Sequence, residues 1–395
     1  MTNDRSCPPL IRLLVLAQTA PEAVHHGIGL RAGHLLRCLP SSYEVTCMSA
    51  DQYTPPRPSR ASRLSSLRSF FQIQRPYRFE PELQRVFNQM LCDHPFDAVL
   101  VMGVDLLQYT EHCAVPVIAD LVDEPLLAAL REIRSQRFSV NALRMAKHIV
   151  ELLPYLRANC RRARHCILVS QTDAHWLRRI VPGVPVSVVP NGVDTDFFRP
   201  AGLTVNPREI VFSGIMGFSP NIAAAQYFAR RVFPKIQAAL PECRWTIVGG
   251  SPAPEVQVLA GPNVRVTGFV PDLRPYIEQA ALFVSPLVSG GGMKNKILEA
   301  WAMGKAVVAT PLGCAGIKVR DGVDLLVARN ADEFAAKAIH LLTHSEEAER
   351  IGRCAQEAAI ANHAWGEKAA LLDRILRDAV SAGTSPAFSF HEACG

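Results

Sequence analysis

Residues 281–313 read ALFVSPLVSGGGMKNKILEAWAMGKAVVATPLG, and this stretch decides the fold. The apolar run at 281–286 has the length of a buried strand, and residues 306–310 predict a second one. Between them, a run of three glycines leads into a predicted helix at 296–303, which Gly304 would end as a left-handed cap. Strand, loop, helix and strand in this order are typical of parallel α/β proteins.

The glycine loop before this helix predicts an anion-binding site. Such a loop exposes backbone N–H groups and the positive end of the helix dipole, both of which suit a phosphate. Lys294 and Lys296 lie at the same place, and Glu299 is the only acid in an otherwise apolar helix. Burying a lone carboxylate costs free energy. We therefore expect Glu299 either to pair with Lys296 one turn back or to bind a polar ligand.

Length and charge distribution narrow the class of protein. A chain of 395 residues with 49% apolar content is long enough for two domains. The net charge of +6 belongs to residues 1–190, which hold 22 basic and 16 acidic side chains, and residues 52–79 hold six arginines and no acid. This basic surface is either simply solvated or attracts anionic lipid headgroups or phosphorylated substrates. Nucleic acid is disfavoured, because no zinc finger, RNP-like strand or basic zipper helix is present.

The cysteines and the N-terminus favour a cytoplasmic protein. The eleven cysteines are dispersed, with no Cys-x-x-Cys pair and no metal-ligand spacing with histidine, which suits a reducing compartment. Arg12 interrupts the first apolar run, so we expect a strand there and no secretory signal. No window has the ~20 apolar residues of a membrane helix. Any membrane contact is therefore expected to be peripheral, on the inner face.

Alternating strands and helices predict two α/β halves of similar architecture. Turn chemistry at Pro190-Asn191-Gly192 predicts a boundary near 191–207. Ligands of open parallel sheets bind outside the carboxyl ends of the strands, where the glycines of the second half lie. The predicted strands are 11–17, 43–48, 98–102, 116–120, 165–170, 186–189, 210–212, 245–248, 264–266, 281–286, 306–310 and 325–327.

Two motifs carry a resemblance to a known family: PNGVD at 190–194 and KILEA at 296–300. With them, the chain resembles glycosyltransferase family 4, and is most similar to the sugar transferases of bacterial exopolysaccharide clusters. The resemblance covers residues 10–380. It implies the GT-B fold, in which two Rossmann-like α/β domains face a central cleft and a C-terminal helix crosses back to the first domain.

The resemblance also implies a domain plan and an activity. The activity is that of a retaining, metal-independent hexosyltransferase, which moves a sugar from a nucleotide-diphosphate sugar to a glycan or lipid-linked acceptor in exopolysaccharide biosynthesis. No cofactor is implied beyond this co-substrate. The implied domains are 1–190 for the acceptor, 191–207 as hinge, 208–364 for the nucleotide-sugar, 365–380 as crossover helix and 381–395 as a disordered tail.

For the donor site, the resemblance implies that Glu299 contacts the ribose. Family members commonly carry another Glu eight positions earlier, where this chain has Gly291. Backbone N–H groups or another side chain would then replace that acid at the sugar. The customary Arg/Lys pair after the Ser213 loop is also absent, with Phe218, Pro220 and Asn221 in its place. The implied donor-binding residues are Ser213, Gly214, Gly249, Val270, Gly291, Gly292, Met293, Lys294, Lys296, Ile297 and Glu299.

The implied catalytic residues are Lys296, Glu299 and Asp123. Lys294 and Lys296 would hold the diphosphate and stabilise its developing negative charge, with a surface lysine as the alternative for Lys294. Asp123 would orient the acceptor, or would instead cap the turn before Pro125. The implied acceptor-binding residues are His26, Gly27, Gly29 and Asp120, with a solvated loop as the alternative for the histidine.

Two other kinds of protein remain open. One is a nicotinamide-dependent dehydrogenase, because residues 27–32 fit G-x-G-x-x-A and Asp51 follows the next strand. The glycines of that fingerprint must follow the first strand directly, whereas Gly27 comes well after Ala17, and this disfavours the dehydrogenase. The other is a nucleotide-sugar-binding protein without catalysis, which the missing acid at Gly291 favours.

Overall fold

A computed structural model describes residues 9–20, 27–53, 76–122, 140–290 and 293–382. His26, Asp123, Gly291 and Gly292 lie outside the described residues. Most of the arginine-rich segment 52–79 and the predicted tail beyond residue 382 lie outside them too. In the described ranges, no helix combines the length and apolarity needed to span a bilayer.

The chain divides into two compact units. The first consists of Met1–Pro190 with Lys368–Gly395, and the second of Asn191–Glu367. Each contains a six-stranded sheet in which all pairings between neighbouring strands are parallel. The predicted α/β class with two Rossmann-like units is therefore confirmed.

The first unit has the strand order β2-β1-β3-β4-β5-β6. Strand β1 (IRLLVLA) is almost wholly buried, as expected for a parallel sheet covered on both faces. The strands are β1 Ile11–Ala17, β2 Tyr43–Ser49, β3 Ala98–Met102, β4 Val117–Val122, β5 His165–Leu168 and β6 Val186–Val188. The helices are α1 Gly27–Arg37, α2 Pro81–Asp93, α3 Val140–Arg162 and α4 Gln171–Ile180, with 3₁₀ turns at Ala50–Gln52 and Val104–Thr110.

The second unit has the strand order β12-β11-β10-β7-β8-β9. Its strands are β7 Asn206–Ser213, β8 Arg244–Val248, β9 Val264–Val266, β10 Ala280–Ser285, β11 Val307–Ala309 and β12 Leu326–Val327. Its helices are α5 Ser219–Tyr227, α6 Phe233–Ala239, α7 Pro254–Gln257, α8 Arg274–Gln279, α9 Asn295–Ala302, α10 Ala331–Thr343, α11 Ser345–His363 and the start of α12 Trp365–Ser381.

The helix after β7 is interrupted by a π-helical turn at Phe228–Val232. Pro234 follows at the start of α6; it has no N–H to donate to the preceding turn, so an unbroken α-helix cannot run through it. The ring of Phe228 packs 4.7 Å from that of Trp245 and 5.7 Å from that of Phe334, between centroids. The π-turn therefore lies in the aromatic core of this unit.

Helix α11 is an element that the sequence pattern left unassigned. It packs its small residues against α9 and the turn after it: a Cβ on Gly352 would lie 2.1 Å from the carbonyl oxygen of Gly304. Gly304 itself has φ +66°, so the predicted left-handed cap of α9 is confirmed. Together these glycines allow α11 to pack closely against the end of α9.

Helix α12 returns to the first unit, as the predicted fold requires. The hydroxyl of Tyr43 donates a hydrogen bond of 2.7 Å to Oδ1 of Asp373. One turn further, Nη2 of Arg377 donates to Oγ of Ser42 at 2.7 Å. These bonds attach the last helix to the start of β2.

In each sheet the chain changes direction beside a central strand. In the first unit the chain passes from β1 to β2 and then returns to place β3 on the other side of β1. In the second it runs from β7 through β8 and β9, then returns to place β10 beside β7. The loops leaving such a pair diverge, and the crevice at this switch point is where ligands of open α/β sheets bind.

Candidate functional site

The switch point of the second unit gathers the loop after β7 and the segment after β10. Lys296, in the first turn of α9, donates a hydrogen bond of 2.7 Å from Nζ to Oδ1 of Asn221. The same ammonium lies 4.4 Å from the centroid of the Phe212 ring, a cation–π distance. A Cβ on Gly214 would lie 2.9 Å from it. Lys296 thus reaches from α9 across to the β7 loop.

Asn221 is the residue that joins these two segments. It is only 7% exposed, in the first turn of α5. Its Nδ2 donates to the carbonyl oxygen of Ile215 at 2.9 Å, which fixes the β7 loop, while its Oδ1 accepts from Lys296. The sequence marked Asn221 only as a replacement for a customary basic residue. The structure shows that the cation at this place comes instead from α9.

Three glycines form a collar where the backbones meet. A Cβ on Gly249, at φ +147°, would lie 1.7 Å from the carbonyl oxygen of Gly214. Gly214 has φ +149°, and Gly290 has φ +99° with Pro220 against it. Only glycine combines such backbone angles with such close approach.

The N–H groups of two of these glycines are already used. Gly214 donates to the carbonyl oxygen of Val248 at 3.0 Å, and Gly249 donates to that of Gly268 at 3.2 Å. Gly214 and Gly249 therefore shape the rim, and neither offers a backbone donor to a ligand as placed here. Beside them, the hydroxyl of Ser213 is buried and has no hydrogen-bond partner among the described residues.

The structure does not show the predicted pairing of Glu299 with Lys296. Within the described part of the chain, its carboxylate receives no hydrogen bond and forms no ion pair within 4.0 Å, since the ammonium of Lys296 turns to Asn221. Glu299 keeps part of its surface exposed. A carboxylate left open on an apolar helix suits a ligand with hydroxyl groups.

The remaining predicted donor residues occupy different environments. Lys294 is only 7% exposed, so it is not a surface lysine. Ile297 is fully buried in the core, and its N–H donates to the carbonyl oxygen of Lys294, so its predicted contact with a ligand is not supported. Met293 and Val270 pack partly against the same core. Phe269, beside which the sequence predicts that the base stacks, is 68% exposed, and its ring lies 3.7 Å from a Cβ placed on Gly250.

The two charged side chains of α9 have strongly shifted pKa values. Burial lowers the pKa of Lys296 to about 7, with Glu299 opposing and Lys294 reinforcing this shift. Burial raises the pKa of Glu299 to about 7, with Lys296 opposing. Both side chains keep some accessible surface, but protein atoms surround them densely enough to remove most of their water. Such shifted groups in a crevice are typical of functional sites.

This pair predicts a minimum of stability near neutral pH. Between the ordinary Glu value of 4.5 and about 7, the folded protein holds the extra proton on Glu299, so rising pH lowers the free energy of unfolding. Between about 7 and the ordinary Lys value of 10.5, the unfolded chain holds the extra proton on Lys296, so rising pH raises the free energy of unfolding.

Melting temperatures of the parent protein and of a Lys296→Met/Glu299→Gln double variant, compared across the pH range, measure this effect. The melting temperature of the parent should lie furthest below that of the double variant near pH 7. Other titrating groups are common to both proteins and cancel in the difference. A difference that does not change with pH would contradict the opposed shifts.

Among the predicted acceptor residues that the structure describes, Asp120 is enclosed by protein. Asp120 is fully buried, and its Oδ2 accepts from Nε of Arg31 at 2.8 Å. Its Oδ1 accepts from the N–H of Val122 at 3.2 Å, where a non-glycine residue has φ +65°. The ion pair supports this irregular end of β4, so Asp120 has a structural role and would have to be uncovered to touch an acceptor.

Gly27 and Gly29 belong to the first turn of α1. Neither forms the tight turn directly after β1 that a dinucleotide fingerprint requires. The dehydrogenase alternative therefore loses the feature on which it depended.

Comparison with known proteins agrees with this geometry. The family model described as "Glycosyl transferases group 1" matches residues 207–344, which contain the switch-point site. The phosphatidyl-myo-inositol mannosyltransferase of Mycobacterium tuberculosis is 27% identical over 229 residues, 55% of this chain and 60% of that protein. The enzyme of the same name from Mycolicibacterium smegmatis is 28% identical over 229 residues, 55% and 58% of the two chains. The chain thus spans less than two thirds of the length of these curated relatives.

Solved structures with the same fold cover almost the whole chain. Sucrose-phosphate synthase from Thermosynechococcus elongatus has a TM-score of 0.69 at 17% identity, over 94% of this chain and all of that one. HepE from Anabaena, solved in complex with UDP, has a TM-score of 0.64 at 15% identity, over 93% of this chain and 100% of that one. At such low identity the similarity shows a shared GT-B fold.

Proposed function

We propose that this protein is a glycosyltransferase that moves a sugar from a nucleotide-diphosphate sugar to a hydroxyl group of a glycan or lipid-linked acceptor. The observation that carries the proposal is Lys296, held by Asn221 beside Gly214 at the second switch point. This site lies within the residues that match the group 1 glycosyltransferase model.

The charge of the site suits a diphosphate. Lys296 is in the first turn of α9, and Lys294 directly precedes that helix, so two ammonium groups and the helix dipole act in one place. As the glycosidic bond breaks, the leaving diphosphate gains negative charge, and a fixed ammonium stabilises that charge more than it stabilises the ground state. Lys296 is therefore assigned to the diphosphate.

Two further side chains of this unit, Glu299 and Phe269, suit the nucleoside. A carboxylate accepts hydrogen bonds from the two neighbouring hydroxyls of a ribose, and Glu299 has no partner among the described residues that would compete. The exposed ring of Phe269 offers a face on which a base can stack. A uridine nucleotide is the first choice, because HepE has been solved with UDP and with UDP-glucose.

We infer retention of configuration and no need for a metal from the family resemblance. In that mechanism the bond from the anomeric carbon to the phosphate oxygen breaks, and a bond to the acceptor oxygen forms on the same face. The acceptor proton passes to the departing phosphate. The relatives named phosphatidyl-myo-inositol mannosyltransferase support an acceptor that presents ring hydroxyls, either on a lipid or on a glycan.

A thermal-shift panel of UDP, GDP, dTDP and CMP tests the proposal. We expect one diphosphate to stabilise the protein, by about 2.7 kcal/mol at about 100 times its Kd. The matching nucleotide-sugars are then incubated with a lipid-linked acceptor extract, and the anomeric configuration of the product is read by NMR. No stabilisation by any nucleotide would refute the donor site.

Binding without turnover would favour the second candidate, a nucleotide-sugar-binding protein without catalysis. The observation in its favour is Gly291, where the resemblance implies an acid that contacts the sugar.

A further inference from the structure

The first unit has a switch point of its own, between the loops after β1 and β3. Here Gln18 and Thr19 follow β1, and Gly103, Val104 and Asp105 follow β3. By topology this pair of loops corresponds to the loops after β7 and β10 in the second unit. An open parallel sheet places its ligand crevice between such loops.

Gly103 holds the two loops close together. At φ +123°, a Cβ on Gly103 would lie 2.9 Å from Oδ1 of Asp105 and 3.8 Å from Cγ of Gln18. The N–H of Gly103 donates to the carbonyl oxygen of Asp120 at 2.9 Å. The hydroxyl of Tyr155 donates to the carbonyl oxygen of Val104 at 2.8 Å. The carboxylate of Asp105 is therefore fixed at the crevice by a turn that only glycine allows.

The polar groups at this crevice are only partly satisfied. Asp105 is partly buried, its burial raises its pKa, and its own N–H and that of Leu106 are the hydrogen bonds that oppose this shift. Among the described residues, no basic side chain forms an ion pair with it. In the same ranges, the hydroxyl of Thr19 is buried without a partner. A carboxylate has about four acceptor positions, so lone pairs remain for a ligand.

We infer that Asp105 is an acceptor-binding residue, whose carboxylate accepts a hydrogen bond from a hydroxyl of a polyhydroxylated acceptor while Thr19 supplies a second polar contact. The inference rests on the proposed function. In it, Asp105 replaces the buried Asp120 as the acidic group available at the carboxyl edge of this sheet. The competing explanation is that Asp105 only stabilises the first turn of the 3₁₀ segment Val104–Thr110, where a negative charge is favourable.

The experiment measures binding of three probes, methyl α-D-glucoside, methyl α-D-mannoside and myo-inositol, by saturation-transfer NMR in the presence of UDP. We expect at least one probe to bind the parent protein, and Asp105→Asn to weaken that binding by about tenfold, since the hydrogen bond then goes to a neutral amide oxygen in place of a charged carboxylate. The thermal shift produced by UDP should not change, because Asp105 is outside the second unit. Asp93→Asn is the matched control, because Asp93 is exposed at the end of α2, before β3 begins.

The outcomes separate the two explanations. Equal probe binding by Asp105→Asn and the parent, or no probe binding to the parent, overturns the inference. If Asp105→Asn does not fold, Thr19→Val decides: it keeps the side-chain shape, and unchanged probe binding by this variant likewise overturns the inference. Failure of the proposed function would appear differently, as a parent protein that no nucleotide stabilises.

Discussion

Replacing Lys296 with methionine is expected to weaken binding of the cognate nucleoside diphosphate by about 10- to 100-fold, the usual value of a hydrogen bond to a charged group. Methionine keeps most of the volume of the lysine stem but has no charge and no donor. The ammonium is the group that reaches the loop after β7, through Asn221, and no arginine or lysine lies in residues 214–221 to replace it. Isothermal titration with UDP and GDP measures the loss.

Stability should change much less than binding in this variant. Asn221 loses the donor to its Oδ1, which costs about 1–3 kcal/mol, but the protein no longer has to hold an ammonium away from water. That second term is favourable, as the pKa of about 7 shows. The two effects oppose each other, so the melting temperature without nucleotide should stay close to that of the parent.

Lys235→Met is the matched control. Lys235 is a half-exposed lysine of the same unit, paired at the surface with Asp332 at 2.6 Å, and such pairs contribute about 0–1 kcal/mol. It should bind the diphosphate like the parent. If Lys296→Met bound as tightly as Lys235→Met, Lys296 would not be the diphosphate cation.

Replacing Gly249 with alanine is expected to abolish nucleotide binding and to destabilise the second unit by about 3 kcal/mol or more, the range of buried steric overlap and strain. The added Cβ would lie 1.7 Å from the carbonyl oxygen of Gly214, and φ is +147°. The carbonyl oxygen belongs to the backbone and the Cβ is attached directly to it, so the overlap can be relieved only if the backbone moves. The loop that carries Gly214 would then shift away from Lys296.

Gly261→Ala gives the control for this substitution. Gly261 lies in the same unit, and a Cβ there would have no atom within 4 Å. We expect a change of at most about 0.5 kcal/mol, as for ordinary surface positions. Differential scanning calorimetry and UDP titration of both variants measure the contrast. Alanine at position 249 with the parent's melting temperature and affinity would mean that the collar does not hold the loops.

The second unit shows how much of the site the sequence could predict. Strand β9 has the bounds that the apolar pattern predicted, and Gly304 caps α9 as expected. These features are local, because they depend on side chains and turn residues within a few positions of each other. The same holds for Asp194, whose carboxylate accepts from the N–H of Phe197 at 2.9 Å as a turn cap.

Partner choice could not be predicted in this way. The sequence placed Glu299 and Lys296 one turn apart and left open whether they pair, and the answer came from Asn221, 75 positions away from Lys296. Similarly, Asp120 stood at a strand end suited to a ligand, but Arg31 from α1 neutralises it inside the first unit. Asp105 belongs to no recognisable sequence motif. Its position at the switch point follows only from the strand order, in which β3 lies beside β1.

By itself, then, the sequence determined the α/β class and the order of the strands, and it predicted the segment where a phosphate could bind. These follow from hydrophobic period, glycine and turn chemistry, which act over short stretches of chain. Only the tertiary structure decided which charges stay open and which are neutralised. A side chain's partner is set by the order in which strands join a sheet, and that order brings together residues far apart in the sequence.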